Sequence, residues 1–65
     1  MQIILNGEPF DIDETNTIDD LLTKLELNGR LAVEINHQIV PRSLFHSHII
    51  NPGDRIEIVH AIGGG

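Results

Sequence analysis

The sequence contains no cysteine, no tryptophan and no tyrosine, and only two phenylalanines among its 65 residues. Without cysteine no disulfide can brace so small a domain, so its stability must come from packing of Ile, Leu and Val. The absence of cysteine also suits a reducing compartment, and we expect a cytoplasmic protein. The scarcity of aromatic side chains argues against the stacking platforms on which proteins bind single-stranded nucleic acid.

Basic residues are also few. Four Lys and Arg stand against ten Asp and Glu, which gives a formal net charge of −6. This balance argues against a nucleic-acid partner, because phosphates attract cationic side chains. It favours a protein partner that carries a basic patch. No apolar run approaches the roughly 20 residues that span a bilayer, and no signal peptide opens the chain, so we expect no membrane partner.

The first part of the chain has the pattern of a β-hairpin. Met1–Leu5 is rich in Ile and Leu, as expected of a strand, and Asn6-Gly7 is a strong hairpin signal because both positions tolerate positive φ. Phe10 and Ile12 then alternate with acidic residues, which indicates a second strand with one wet face. Since Pro9 cannot donate a ladder hydrogen bond, this second strand is expected at a sheet edge.

The apolar period then changes to that of a helix. Thr17 is a suitable N-cap, and Asp20 three residues later resembles a capping box. Gly29 can adopt the left-handed conformation of a helix stop, so the pattern predicts one helix from Ile18 to Leu27. Four residues at the i, i+3, i+4, i+7 spacing form its core-facing stripe: Ile18, Leu21, Leu22 and Leu25.

Three further strands are indicated in the second half. Leu31–Ile35 alternates, Asn36-His37 is expected to turn the chain, and Gln38–Val40 is a short strand that ends before Pro41. The apolar residues of Arg42–Ile50 are expected to anchor a loop or a single helical turn onto the body. Asn51–Asp54 fits a type II turn with Pro at i+1 and Gly at i+2, and the last strand covers Arg55–His60.

This order of elements predicts an α+β fold of the β-grasp type, with a mixed sheet of four to five strands packed on one main helix. We expect the last strand to lie beside the first, at the centre of the sheet. The predicted division of the chain is a β-grasp domain at residues 1–60 and a flexible C-terminal glycine tail at residues 61–65.

The tail consists of Ala61, Ile62, Gly63, Gly64 and Gly65, and we expect the carboxylate of Gly65 to be the chain terminus. Glycine lacks Cβ, so such a tail is thin and lets another molecule approach its backbone closely. Fully extended, five residues reach about 16 Å. A frayed end is the simpler interpretation of the same residues. The alternative is a tail that carries one carboxylate into the active site of another protein.

Four segments occur in a distinctive order along nearly the whole chain. They are Met1-Gln2-Ile3 with Asn6-Gly7, Thr17-Ile18-x-x-Leu21-Leu22, Val33-x-Ile35-Asn36-x-x-Ile39-Val40-Pro41-Arg42, and Gly53-Asp54-x-Ile56-Glu57-Ile58-Val59-x-Ala61-Ile62-Gly63-Gly64-Gly65. Together they resemble the ThiS sulfur carrier family of thiamine biosynthesis, which is ubiquitin-like in fold. Residues 43–48 carry no signature of that family.

The resemblance implies that the Gly65 carboxylate is the modified group. A ThiF-like adenylyltransferase would activate it with ATP, and sulfur from a desulfurase system would then replace AMP to give a thiocarboxylate. A ThiG-like thiazole synthase would take the sulfur, with Ala61–Gly64 presented to the partners. The resemblance further implies that the carrier is not an enzyme, has no catalytic residue and binds no cofactor of its own.

Three alternatives are consistent with parts of the sequence. A molybdopterin-type sulfur carrier has the same fold and tail, but the Ile58–Ile62 segment is closer to the thiamine type. A ubiquitin-like modifier or binding module would begin with the same tail chemistry, although the sequence shows no obvious exposed apolar patch to favour it. A metal site at His46 and His48 lacks a third ligand at motif spacing and any Cys, so we expect none.

Overall fold

The computed structural model describes residues 1–13 and 16–60, and within these ranges it contains seven strands and one α-helix. The elements in chain order are β1 (Gln2–Leu5), β2 (Glu8–Asp11), β3 (Asn16–Thr17), α1 (Ile18–Lys24), β4 (Leu31–Ile35), β5 (Gln38–Val40), a 3₁₀-helix (Arg42–Leu44), β6 (Ile49–Ile50) and β7 (Arg55–His60).

Five of the strands form one mixed sheet in the order β2-β1-β7-β4-β5. Strands β1 and β7 are parallel, and the other neighbouring pairs are antiparallel. The predicted position of the last strand beside the first is therefore confirmed, and β7 is the central strand. A separate two-stranded sheet pairs β3 with β6. The sequence analysis missed this pair because strands of two residues are too short to show a period.

Both hairpins of the main sheet turn through left-handed backbone. Asn6 and Gly7 have φ of 49° and 85°, and Asn36 and His37 have φ of 53° and 70°. Positive φ at both central residues is what a type I′ turn requires, and its twist matches that of the flanking strands. The predicted Asn6-Gly7 hairpin is confirmed. The edge position predicted for the strand that contains Pro9 is confirmed as well.

Helix α1 begins with the predicted capping box. The Thr17 side chain accepts a hydrogen bond from the backbone N–H of Asp20, and the Asp20 carboxylate accepts one from the backbone N–H of Thr17. Two N–H groups that a helix start would leave unpaired are satisfied in this way. Asp19 and Asp20 also place negative charge in the first turn, where the helix dipole favours it.

The predicted end of the helix is wrong, because α1 ends at Lys24 and not at Leu27. Glu26 adopts a φ of 58°, and its N–H donates to the carbonyl of Thr23 at 3.0 Å, while Leu27 N–H donates to the carbonyl of Leu22 at 2.9 Å. These two bonds define a Schellman motif in which Glu26 occupies the position usually held by glycine. The motif turns Leu27 back so that it packs against the core.

One hydrophobic core lies between α1 and one face of the main sheet. Its twelve buried residues are Ile3, Ile12, Ile18, Leu21, Leu22, Val33, Ile35, Val40, Phe45, Ile50, Ile56 and Ile58. The predicted helix stripe is confirmed, since Ile18 and Leu21 are 0% and 1% exposed. The prediction for residues 42–50 is half right, because Phe45 and Ile50 are buried but Leu44 and Ile49 are exposed.

The burial of Leu22 gives a direct test of this core. We expect Leu22→Asp to unfold the domain, because an unpaired buried carboxylate costs several kcal/mol and a domain of this size has only about 3–5 kcal/mol to lose. Urea titration followed by circular dichroism measures the loss. Thr23→Asp introduces the same side chain at an exposed position one residue later and should leave the unfolding midpoint nearly unchanged. A folded Leu22→Asp protein would show that the stripe is not buried.

Candidate functional site

The predicted site residues Ala61, Ile62, Gly63, Gly64 and Gly65 lie outside the described residues, so their roles stay predictions. The structure does describe the strand that precedes them in the chain. Strand β7 ends at His60, directly before Ala61. The position of β7 therefore sets where residues 61–65 begin.

Strand β7 is held by hydrogen-bonded neighbours on both of its sides. On one side it pairs with β4 over five positions, from Ile56 opposite Ile35 to His60 opposite Leu31. On the other side its register with β1 covers only Arg55 and Ile56. The β4 pairing thus continues to the last residue of the strand, whereas the β1 pairing stops after the second residue of the strand.

The side chain of Asn6 extends the β1 side of this ladder by one further bond. The backbone N–H of Asn6 donates to the carbonyl of Ile56 at 2.9 Å, after which the main chain turns away into the hairpin. The Asn6 Oδ1 atom then accepts a hydrogen bond from the backbone N–H of Ile58 at 2.9 Å in a partly buried position. A side-chain amide takes the place that the next carbonyl of β1 would have occupied.

A second asparagine holds the beginning of β7 from the β4 side. The Asn36 N–H donates to the carbonyl of Arg55 at 2.8 Å, and Asn36 Oδ1 accepts from the Arg55 N–H at 3.0 Å. Its Nδ2 atom donates to a carboxylate oxygen of Asp54 at 3.1 Å. The other oxygen of Asp54 accepts from the Asn51 N–H at 2.8 Å, which ties the preceding turn into the same network.

That turn has the predicted type II features. Gly53 has a φ of 83°, and the N–H of Asp54 donates to the carbonyl of Asn51 at 3.1 Å. The Gly53 N–H in turn donates to the carbonyl of Gln2 at 2.8 Å. The turn is therefore fastened to β1 as well, and β7 starts from a fixed point.

The sequence analysis missed the bonds that Asn6 and Asn36 make to β7. Both residues were interpreted as turn formers only, and both do occupy turn positions with positive φ. Glycine would satisfy that backbone requirement without strain. The use of Asn at both hairpin turns is the one sequence signal that could have indicated a second role for the side chain.

The face of the main sheet opposite α1 is the second feature of the site, and we call it the open face. Two aliphatic side chains stand on it with large exposed fractions, Ile39 at 75% and Val59 at 59%. The sequence analysis did not identify these two exposed side chains. Alternation along β7 explains the position of Val59, because Ile56 and Ile58 point into the core and leave Val59 on the other side.

The histidines considered as metal ligands lie between the 3₁₀-helix and β6. His46 is exposed in the turn that follows the 3₁₀-helix, and His48 is half-buried two residues later. Within residues 1–13 and 16–60, no group of three His, Cys, Asp or Glu side chains is arranged to hold a metal ion. The backbone carbonyl of His48 accepts a hydrogen bond from the N–H of Ile18 at 3.2 Å, so this residue helps to place the start of α1.

No helix in the described part of the chain is long and apolar enough to cross a membrane.

Comparison with known proteins decides the family. The family model described as the ThiS family matches residues 3–65, nearly the full length of the sequence. The chain belongs to the ThiS family. A crystal structure of the thiamine biosynthesis protein ThiS from Geobacter metallireducens matches with a TM-score of 0.88 and 29% identity, covering 100% of both chains. The β-grasp fold predicted from the sequence is thereby confirmed.

Two relatives with different names are similar to the whole chain. The sulfur carrier protein ThiS of Escherichia coli K12 is 36% identical, with 100% of both chains covered. The thiazole synthase of Paramagnetospirillum magneticum is 41% identical over 100% of this chain, which corresponds to 20% of the synthase. Membership of the ThiS family favours the thiamine-type carrier over the molybdopterin-type carrier and the modifier.

The bond between Asn6 and Ile58 can be tested without disturbing the hairpin backbone. We expect Asn6→Gly to lower the free energy of unfolding by about 1–2 kcal/mol, because the partly buried N–H of Ile58 loses its acceptor while glycine still allows positive φ. Hydrogen exchange at the Ile58 amide should accelerate as well. Asn6→Asp keeps an acceptor oxygen and is the matched control. Equal Ile58 exchange in all three proteins would contradict the role of the Asn6 side chain.

Proposed function

We propose that this chain is a sulfur carrier of thiamine biosynthesis and that it works through the carboxylate of Gly65. The observation that carries the proposal is the position of β7. A central strand, bonded on both sides, runs to within five residues of Gly65. Membership of the ThiS family and the E. coli sulfur carrier relative support the same function.

The chemistry starts from an unreactive carboxylate. A carboxylate oxygen of Gly65 attacks the α-phosphate of ATP, an oxygen–phosphorus bond forms, and pyrophosphate leaves. The product is an acyl adenylate, whose AMP is a good leaving group. The terminal sulfur of a persulfide on the donor then attacks the acyl carbon, the carbon–oxygen bond to AMP breaks, and the departure of AMP gives an acyl disulfide. A thiol of the donor system attacks the donor-side sulfur and breaks the sulfur–sulfur bond, so that the two donor thiols are oxidised to a disulfide and a thiocarboxylate remains. No atom changes its oxidation state in the adenylation step, because it only exchanges pyrophosphate for the carboxylate at phosphorus.

The glycine run suits the adenylation step. In-line displacement at phosphorus depends on positioning of the attacking oxygen, and side chains next to the reacting carboxylate would crowd that approach. Gly63 and Gly64 add no side chain next to Gly65. Ala61 and Ile62 link this glycine run to β7. The carrier supplies the acyl group and no acid, base, metal or cofactor, so we infer that it is not itself an enzyme.

Three kinds of partner follow from this proposal. A ThiF-like adenylyltransferase consumes the ATP, a desulfurase system delivers the sulfur, and a ThiG-like thiazole synthase accepts it. The similarity of the whole chain to a segment of the P. magneticum thiazole synthase supports the last of these. We infer a cytoplasmic location, where a chain without cysteine needs no oxidising environment.

Deletion of Gly64 and Gly65 tests whether the tail carries the function. We expect the truncated protein to support no thiazole formation, because the reacting carboxylate no longer reaches the partner's active site. Its thermal unfolding midpoint should match that of the full chain, since both residues follow the last strand. Intact-mass analysis of the full chain from thiamine-starved cells should show the gain of one sulfur in place of one oxygen. Thiazole formation by the truncated protein would refute the proposal.

Extension of the chain tests the need for a slim end group. We expect one tryptophan added after Gly65 to abolish adenylation, because a large side chain would then sit next to the reacting carboxylate. One added glycine keeps the end slim and should retain part of the activity. Pyrophosphate release with the adenylyltransferase and ATP measures both variants. Equal rates for the tryptophan and glycine extensions would argue against steric selection at the terminus.

A further inference from the structure

Two carboxylates face each other at the middle of the open face. Glu34 of β4 is paired directly with Glu57 of β7 in the antiparallel register. Backbone-bonded partners of this kind have Cα atoms about 5.5 Å apart, so their side chains are neighbours. Like charges placed directly opposite each other destabilise a sheet.

Among residues 1–13 and 16–60, no Lys or Arg side chain is found in an ion pair with Glu34 or Glu57. The ion pair between the N-terminal amine of Met1 and Asp11 involves neither glutamate. Arg55 lies on the same face of β7, two residues before Glu57, yet it forms no ion pair with Glu57 or Glu34. The structure therefore places two acidic residues opposite each other in the sheet, with no ion-pair partner for either among the described residues.

The surroundings of the pair are apolar. Ile39 of β5 is the cross-strand partner of Glu34 on its other side, and Val59 with Ala32 forms the adjacent row. With 75% and 59% of their surfaces exposed, Ile39 and Val59 have no cover within the described residues. Charged groups are uncommon at the centre of a protein interface, and carboxylates that do occur there select the partner by charge complementarity.

The position of the pair relative to the tail limits which partner can cover it. Glu57 stands on β7, three residues before the end of the strand that leads into residues 61–65. The opposite face of β7 is closed by the core, since Ile56 and Ile58 are buried. An enzyme that draws the tail into its active site therefore approaches β7 over the open face.

We propose that Glu34 and Glu57 together bind one arginine or lysine of the adenylating partner, with Ile39 and Val59 packed against apolar side chains around it. This inference rests on the proposed function. A guanidinium group carries several donors in a planar fork and can bind two carboxylates at once, which would relieve the repulsion between them. The acidic pair thus acts in partner recognition.

Steady-state adenylation by the adenylyltransferase of the same organism tests the inference. For the double variant Glu34→Gln, Glu57→Gln, we expect KM for the carrier to rise at least about tenfold, because a charge-assisted contact to the partner is lost. The value of kcat should not change, since the contact is made equally in the ground state and in the transition state. Added salt should raise the KM of the double variant less than it raises the KM of the unaltered chain, because the variant lacks the two charges that salt would screen.

The urea midpoint of unfolding supplies a second measurement. We expect stability to rise in the variants in which partner binding becomes weaker. Removing one charge of a repelling pair should raise the urea midpoint of Glu57→Gln above that of the unaltered protein. A purely structural role would move stability and partner binding in the same direction. Glu57→Lys should replace the repulsion within the pair by attraction to Glu34, so the urea midpoint should rise as well. The same lysine would repel the cation of the partner, so KM should rise further than in Glu57→Gln.

The double variant Glu8→Gln, Glu26→Gln is the matched control. It removes the same number of charges from exposed positions in β2 and in the turn that ends α1, so it should leave KM unchanged. An equal rise of KM in the control would overturn the inference, because net charge alone would then explain the effect. An unchanged KM in the double variant, with normal adenylation of the unaltered chain, would overturn it while leaving the proposed function intact. Absence of adenylation in the unaltered chain would refute the proposed function, and the inference with it.

Discussion

The pairing of β7 with strands on both of its sides is the constraint on which the rest of this small structure depends. Because β7 is central, removing it would separate β1 and β2 from β4 and β5. Its two buried residues, Ile56 and Ile58, also form part of the core. The described part of the chain therefore closes its fold with β7. The residues that follow carry the chemistry that we propose.

Much of this fold could be predicted because its signals are local. The hairpin at Asn6-Gly7, the stripe from Ile18 to Leu25 and the capping box of Thr17 each arise within a few residues of one another. The helix end was predicted wrongly for a nonlocal reason. Leu27 gains burial by turning back onto the core, and this gain holds Glu26 in a backbone conformation for which the sequence offers a better candidate at Gly29.

The candidate site also has a part that could be predicted from the sequence and a part that could not. The role of Gly65 is implied by the glycine-rich end together with the resemblance to the ThiS family, both of which lie in the sequence, and it stays a prediction. The bond from Asn6 to Ile58 spans 52 residues, and the pairing of Glu34 with Glu57 depends on the register of β4 on β7. No period or motif shows which side chains two distant strands will place together, and for that reason these features became visible only in the folded chain.

The burial of one face of β7 has a consequence for the order in which partner enzymes bind the carrier. Under the proposed function, loading and unloading both act on Gly65, and β7 has only one face that the core leaves uncovered. We therefore expect the two enzymes to bind one after the other. Rapid release then matters more than tight binding, because a carrier that lingered on its first enzyme would delay delivery to the second.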